Sequence, residues 1–416
     1  MIYKNIPLKV YTFLFLTCFT LFWGLYKWLN LGLFSYMAAD FALFLAAALF
    51  SAAIVLCNGG CFVLHKGSLL FAAMFVLACV EILHTGSVAV TQPFYLTLSE
   101  AFPYFSVCLE AFVLSRLIRS KDDLNWFMSA IETASVLIAC FSIIQFILYP
   151  HVIIFPTDAL PLRNGLYRIY VGGGSILSIG GLISMGNLFS NRENKGISVL
   201  NLVLVFLTLA LVRQARSNTA CLLFVFMAGV LSVSNIPKAV RWVMYAGMAG
   251  LLIIGFVCVD GSEWAAAFVQ TDDGIRARIA GIRFFLEKFQ EYPILGMGFI
   301  TTSGNQDPVS YSLLCSPSGY RFDRSDVGIF GVLNMFGILG VAWYAAFLRR
   351  IGVNAKQTTR ASGMIHGKLI LWYLLVTSVN LIVMTMQMSM MIALTVVLTD
   401  KLHEYSVEER IRECKW

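Results

Sequence analysis

Nine arginines and a few carboxyls carry most of the chemistry this chain offers. Arg163, Arg168, Arg213, Arg216, Arg276, Arg278, Arg283, Arg321 and Arg324 recur in segments between apolar runs. A guanidinium is a planar fork that grips phosphate or carboxylate oxygens at two points, whereas lysine is a compact point charge. The chemistry this suggests is capture of a phosphorylated substrate; the alternative is that the arginines snorkel to lipid headgroups. Asp326 and Asp323 stand beside Arg321 and Arg324, where a carboxylate within hydrogen-bond reach could accept the proton of an attacking hydroxyl. Equally, these four residues could pair with each other and shape their loop. Glu81, His84 and Glu100, near the ends of apolar runs, are second-tier candidates. Asp40, Glu110 and Glu132 lie inside such runs, where ionisable groups are functional suspects by default or bond helix to helix. Asp272, Asp273 and Asp307 lack the spacing of a calcium loop. No metal site and no cofactor is therefore expected, the arginines taking a metal's electrostatic role.

The elements that must position these groups are membrane spans. Of the 416 residues 59% are hydrophobic and 13% charged, about half the charged share of a soluble domain. The net charge of +7 is accordingly a topology signal, and no nucleic acid is expected as a partner. A helical span takes roughly 20 apolar residues. The runs fall at 8–29, 36–57, 67–84, 95–117, 125–148, 168–190, 197–212, 217–235, 239–259, 326–348, 367–384 and 386–400. The first is long enough to remain as a span and not be cleaved as a signal peptide. Twelve spans put both termini on one side. With that side cytoplasmic, the inner segments hold nine Lys and nine Arg, the outer ones nine Arg and only two Lys. The excess obeys the positive-inside rule, while the arginine bias outside points to recognition.

Two segments break the helical pattern. Tyr149 to Tyr167, with Pro150, Pro156 and Pro161, reads as an irregular outer loop, and the glycines at 172–174 that follow read as a helix-packing site. Residues 260–325 form one large outer loop within a single transmembrane domain, 1–416. Loops of that length are usually functional. Inside it, Gly274 to Glu291 reads as an amphipathic helix with Ile275, Ile279, Ile282, Phe285, Leu286 and Phe289 on one side, lying at the outer membrane interface. The ten cysteines are scattered, mostly in apolar runs, with no CxxC pair and Cys315 alone in the large loop, so neither a zinc site nor a disulfide framework is indicated.

Three stretches, in order, resemble the O-antigen ligase and polymerase superfamily. Arg213-Gln-Ala-Arg216-Ser-Asn-Thr is similar to its Ser-Arg-Gly type motif at a span junction. Arg278, followed fifteen residues later by Pro293-Ile-Leu-Gly296-Met-Gly298, resembles its arginine, amphipathic helix and Pro-x-x-Gly-x-Gly signature. Asp326-Val-Gly, with Gly337-Ile-Leu-Gly340 eleven residues on, resembles the span after its large loop. The motifs cover about 205–345. Ligases of the family look like His-Asn where this chain has Asp326-Val327, and the large outer loop has no histidine. An Asp there looks more like the Wzy-type polysaccharide polymerases.

The resemblance implies a multi-spanning GT-C-like glycosyltransferase of the bacterial cytoplasmic (inner) membrane. It implies a glycan donor carried on undecaprenyl diphosphate at the outer face, in contact with membrane lipid, and leaves room for a chain-length regulator as partner. Displacing a lipid diphosphate develops negative charge that a preorganised cationic clamp stabilises. Arg216 and Arg278 are placed at that clamp, with Arg213, Arg276, Arg321 and Arg324 beside them, Asp326 as base, and Arg163 and Arg168 in a second tier. The rival readings are a ligase that passes the glycan to a distinct acceptor, and a flippase of the lipid-linked glycan. Against the flippase, no repeated half is visible and the charges gather in one outer loop instead of at mid-membrane.

Overall fold

The computed structural model of the chain describes residues 5–20, 34–57, 68–154, 158–163, 166–170, 173–190, 195–234, 236–237, 239–247, 273–301, 313–315, 321–379, 384 and 390–413. These are overwhelmingly helical, as an apolar chain must be where no water is at hand for backbone N–H and C=O groups. Among the described residues the helices include α1 (Ile6–Thr20), α2 (Phe34–Cys57), α3 (Ser68–Val88), α4 (Phe94–Leu117), α5 (Lys121–Leu148), α6 (Gly174–Phe189), α7 (Lys195–Leu207), α8 (Arg216–Val233), α9 (Asp273–Glu291), α10 (Ile329–Ser362), α11 (His366–Thr377) and α12 (Met390–Glu413), and residues 239–247 are helical as well. Among the described residues six stretches are long and apolar enough to cross a membrane: Leu69–Val88, Phe94–Leu117, Lys121–Leu148, Lys195–Val212, Arg216–Val233 and Ile329–Ser362. Ile6–Thr17, Phe44–Cys57 and Gly174–Phe189 are shorter apolar helices. The chain is a helical membrane protein.

Helices α2, α3, α4, α10 and α12 form one group of packed neighbours, and α5, α6, α7, α8 and α11 another. One buried core runs through both, from Leu8 and Phe15 in α1 to Leu402 and Tyr405 in α12. Polar contacts sort the helix ends. At one end Asn5 donates to the Leu117 carbonyl (2.8 Å), Lys121 pairs with Glu409 (2.8 Å) and Tyr405 donates to the Ile118 carbonyl (3.2 Å). At the other end of α4, Gln92 donates to the Phe299 carbonyl (2.9 Å) and accepts from the Thr301 N–H (2.9 Å). The motif-bearing segments gather at this second end.

One local expectation is overturned, and another gains a packing partner. The stretch taken as an irregular loop contains an antiparallel hairpin, β1 (Asp158–Arg163) with β2 (Leu166–Tyr170), pairing Asp158 with Tyr170 and Leu160 with Arg168. Arg168 thus lies on a strand, and the next helix starts only at Gly174. The amphipathic helix forms, as α9, but its apolar face builds a second small core. Phe285 is buried with Ala89, Met297, Ile300, Leu313, Leu314, Phe322 and Val327, so α9 caps the bundle end. Leu286, on the same helix, stays exposed.

The Pro293–Gly298 motif has a definite structural task. Within α10 the backbone leaves helical geometry at Gly337, at φ 58° and ψ −152°. Such a break frees carbonyls before it and N–H groups after it, which membrane interiors do not tolerate unpaired. The motif takes all four. Met297 N–H donates to the Asn334 carbonyl (2.7 Å) and Gly298 N–H to Met335 (3.0 Å), while Ile338 N–H donates to Pro293 (3.0 Å) and Leu339 N–H to Ile294 (3.4 Å). Gly296 is required by both conformation and contact. Its φ is 71°, and a Cβ there would lie 2.6 Å from the Asn334 oxygen and 2.7 Å from the Gly337 nitrogen, both of them backbone atoms.

Candidate functional site

Three elements meet at the motif-bearing end: the start of α8, the first half of α9, and a short 3-10 turn, Arg324–Val327, ahead of α10. The approach to α8 is unusual. A π-helical turn, Thr208–Val212, is followed by Gln214 at φ 48°, a left-handed conformation uncommon for a residue with a side chain. The sharp turn parts the motif's two arginines: Arg213 is buried, 5% exposed, and Arg216 faces outward. Asn218 faces inward and fixes the start of α8, donating to Ser178 Oγ (3.1 Å) and accepting from the Tyr373 hydroxyl (3.0 Å).

Arg278 is the centre of the site. Its Nη1 donates to Ser217 Oγ at 3.0 Å, and its Nη2 lies 3.8 Å from Asp326 Oδ1. The second distance is too long for a hydrogen bond, so the pair attracts by charge alone. The side chains are 25% and 52% exposed, which leaves the gap open to an incoming anion or hydroxyl. Asp323 caps the 3-10 turn, its Oδ1 accepting from Ser325 N–H (2.8 Å) and Ser325 Oγ (2.7 Å). The surrounding protein pushes the Asp326 carboxyl above the usual carboxylate range; Arg278 opposes this and the Asp323 charge adds to it. A raised carboxyl is a better match to a proton-accepting task near neutral pH.

The other sequence-derived residues separate. Arg168 Nε donates to the Arg213 carbonyl (3.4 Å), tying the hairpin to the turn before α8. Arg213 lies against the start of α6, where a Cβ on Gly174 would stand 2.8 Å from its Nη1. Gly174 thus serves close approach of the Arg213 side chain, while Gly172 of the expected packing run lies outside the described residues. Arg321 is exposed and bridges to Cys315 through the backbone. The side chains of Arg163 and Arg276 lie outside the described residues. His84 Nε2 meets the Gly296 carbonyl at 2.9 Å, so it braces the motif. Glu81 is fully buried and Glu100 partly so.

Arg324 departs most from the outward placement first expected of it. It is 9% exposed, with Nε donating to Asn334 Oδ1 (2.7 Å) and Nη1 to the carbonyls of Gly298 (3.0 Å) and Ile300 (3.3 Å). Burial pushes its guanidinium down to about 10, opposed by Glu100, Tyr104, Asp323 and Glu81, so it stays cationic at neutral pH. Ser217 is the residue that sequence reasoning missed. It stands inside the Arg216-Ser-Asn-Thr219 stretch, but only the fold shows that it meets Arg278.

No protein-family model matches the chain, and no curated protein matches it as a relative.

Proposed function

We propose that the protein is a polysaccharide polymerase of the bacterial cytoplasmic membrane, with twelve spans, cytoplasmic termini and residues 260–325 as its extracytoplasmic loop. In this reading it transfers a glycan from undecaprenyl diphosphate to the hydroxyl of another lipid-linked repeat unit, without metal. One observation carries the reading: Arg278 stands between Ser217, at the cationic start of α8, and the carboxylate of Asp326. A clamp for a leaving diphosphate and a base for an attacking hydroxyl are therefore adjacent.

The step is a single displacement. The acceptor oxygen attacks the anomeric carbon, and the bond from that carbon to the diphosphate oxygen breaks, its electron pair leaving with undecaprenyl diphosphate. Asp326 takes the hydroxyl proton. Arg278 and Arg216, with the Ser217 hydroxyl, face the charge that grows on the leaving oxygen, and the N-terminus of α8 adds its partial positive charge. Arg213, Arg276 and Arg321 form the periphery. Attack opposite the leaving group inverts the anomeric centre.

Reconstitution separates this reading from its rivals. Purified protein given only lipid-linked repeat units should produce a ladder of longer chains. A requirement for a distinct acceptor would make it a ligase, and movement of the lipid with no new bond would make it a flippase.

A further inference from the structure

Arg324 is a buried cation that the proposed displacement does not use, and it sits two residues from Asp326. Its guanidinium reaches two other parts of the chain: the strap of residues 293–301, at Gly298 and Ile300, and Asn334 on the broken helix α10. Asn334 is itself tied to the strap, accepting from Met297 N–H through its carbonyl (2.7 Å) and placing Nδ2 2.9 Å from Met297 Sδ. The Arg324 backbone is fixed equally tightly, since a Cβ on Gly331 would come within 2.1 Å of its carbonyl oxygen.

The carboxyls of Glu81 on α3 and Glu100 on α4 lie within electrostatic reach of this guanidinium. Among the described residues neither oxygen of Glu81 nor Nη2 of Arg324 makes a hydrogen bond, so both groups keep polar capacity inside the bundle. Glu100 takes a hydrogen bond from Thr301, at the end of the strap. Besides the Arg324 anchors, the turn carrying Asp326 is held by the Asp323 cap, by Asp326 N–H to the Asp323 carbonyl (3.2 Å) and by Val327 in the small core beneath α9.

We propose that Arg324 is the positioning residue of the site: anchored to the carbonyls of Gly298 and Ile300 and to Asn334, it locks the turn that holds Asp326 opposite Arg278. The transmembrane bundle, through one side chain, then sets the reacting geometry of the loop. The inference rests on the proposed role of Asp326, and its test has one arm that does not.

In the full-length reconstituted protein, Arg324→Lys keeps the charge and loses the fork. Turnover should fall about 100-fold while KM for the lipid-linked donor stays within about twofold, the pattern of an interaction felt only in the transition state. In an Asp326→Asn background the same substitution should cost nothing further, because residues acting as a unit are non-additive. Full turnover in Arg324→Lys, or losses that multiply in the double variant, would overturn the proposal. The independent arm is cross-linking of a Ser217→Cys/Asp326→Cys pair by a short bifunctional thiol reagent, in a background whose native cysteines are replaced, which should slow about tenfold when Arg324→Lys loosens the turn. An unchanged cross-linking rate overturns the positioning claim even in a protein that proves not to be a polymerase. A slowed rate without any polymerising turnover supports positioning and rejects the polymerase. If Arg324→Lys does not fold, Asn334→Ala removes one of the guanidinium's anchors and is read by the same two outcomes.

Discussion

Replacing Arg278 by lysine isolates what the fork contributes. The side chain now makes two separate contacts, Nη1 to Ser217 at 3.0 Å and Nη2 toward Asp326 at 3.8 Å, and a single ammonium cannot sustain both. In the resting protein little is lost. Unit charges 3.8 Å apart attract by about 1 kcal/mol in water and about 4 kcal/mol at an effective dielectric of about 20. With Asp326 52% exposed the lower figure governs, and exposed pairs measure about 0.2–1 kcal/mol. In the transition state the loss is larger: one preorganised donor to a developing oxyanion is worth about 2.7–4 kcal/mol, or about 10²–10³ in turnover. The expected signature is thus a turnover loss of that size in a protein whose melting temperature in detergent hardly moves. The assay is chain extension of lipid-linked repeat units beside thermal unfolding of the same preparation. Full activity in Arg278→Lys, or an activity loss matched by an equal stability loss, would refute the clamp.

Other consequences are as definite. Gly296→Ala forces a left-handed residue to carry a Cβ into backbone atoms; with the strain and the endangered strap bonds together it should cost about 3–5 kcal/mol, read as a lower unfolding midpoint. Asp326→Asn should remove the acidic limb of the turnover–pH profile, a limb lying above the usual carboxylate range because the Asp326 carboxyl is raised. The same shift fixes a stability sign. A raised carboxyl contributes stability that is fully present below its unfolded pKa and lost as pH rises through its folded pKa. At neutral pH, therefore, Asp326→Asn should be at least as stable as the parent although its residual turnover is far lower, and a less stable variant would contradict the assigned surroundings.

How much of this was legible in the sequence depended on the range of the interaction involved. The membrane helices could be read because each apolar run carries its own signal; α4 and α5 begin and end within a few residues of the runs at 95–117 and 125–148. The hairpin at 158–170 escaped notice because Pro161 and neighbouring prolines resemble loop punctuation, and its pairing spans the turn. The site was half legible. Motif resemblance points to Arg216, Arg278 and Asp326, while the contacts that bring Arg278 to Asp326 and to Ser217 span 48 and 61 residues along the chain. Arg324 was grouped with its outward neighbours because sequence proximity cannot reveal a side chain turned inward toward Gly298, 26 residues back. The glycines of the strap were read as a signature, but their reason is a break at Gly337 on another element, and no local pattern encodes that match.

The central claim, an outward clamp that receives a lipid diphosphate as Asp326 accepts the acceptor proton, is met most directly by stoichiometry. Chelator-treated protein in vesicles with a purified undecaprenyl-diphosphate repeat unit should release one undecaprenyl diphosphate for each glycosidic bond formed, with inverted anomeric configuration. Chain growth without that release, retention of configuration, or an absolute need for divalent metal would contradict the account.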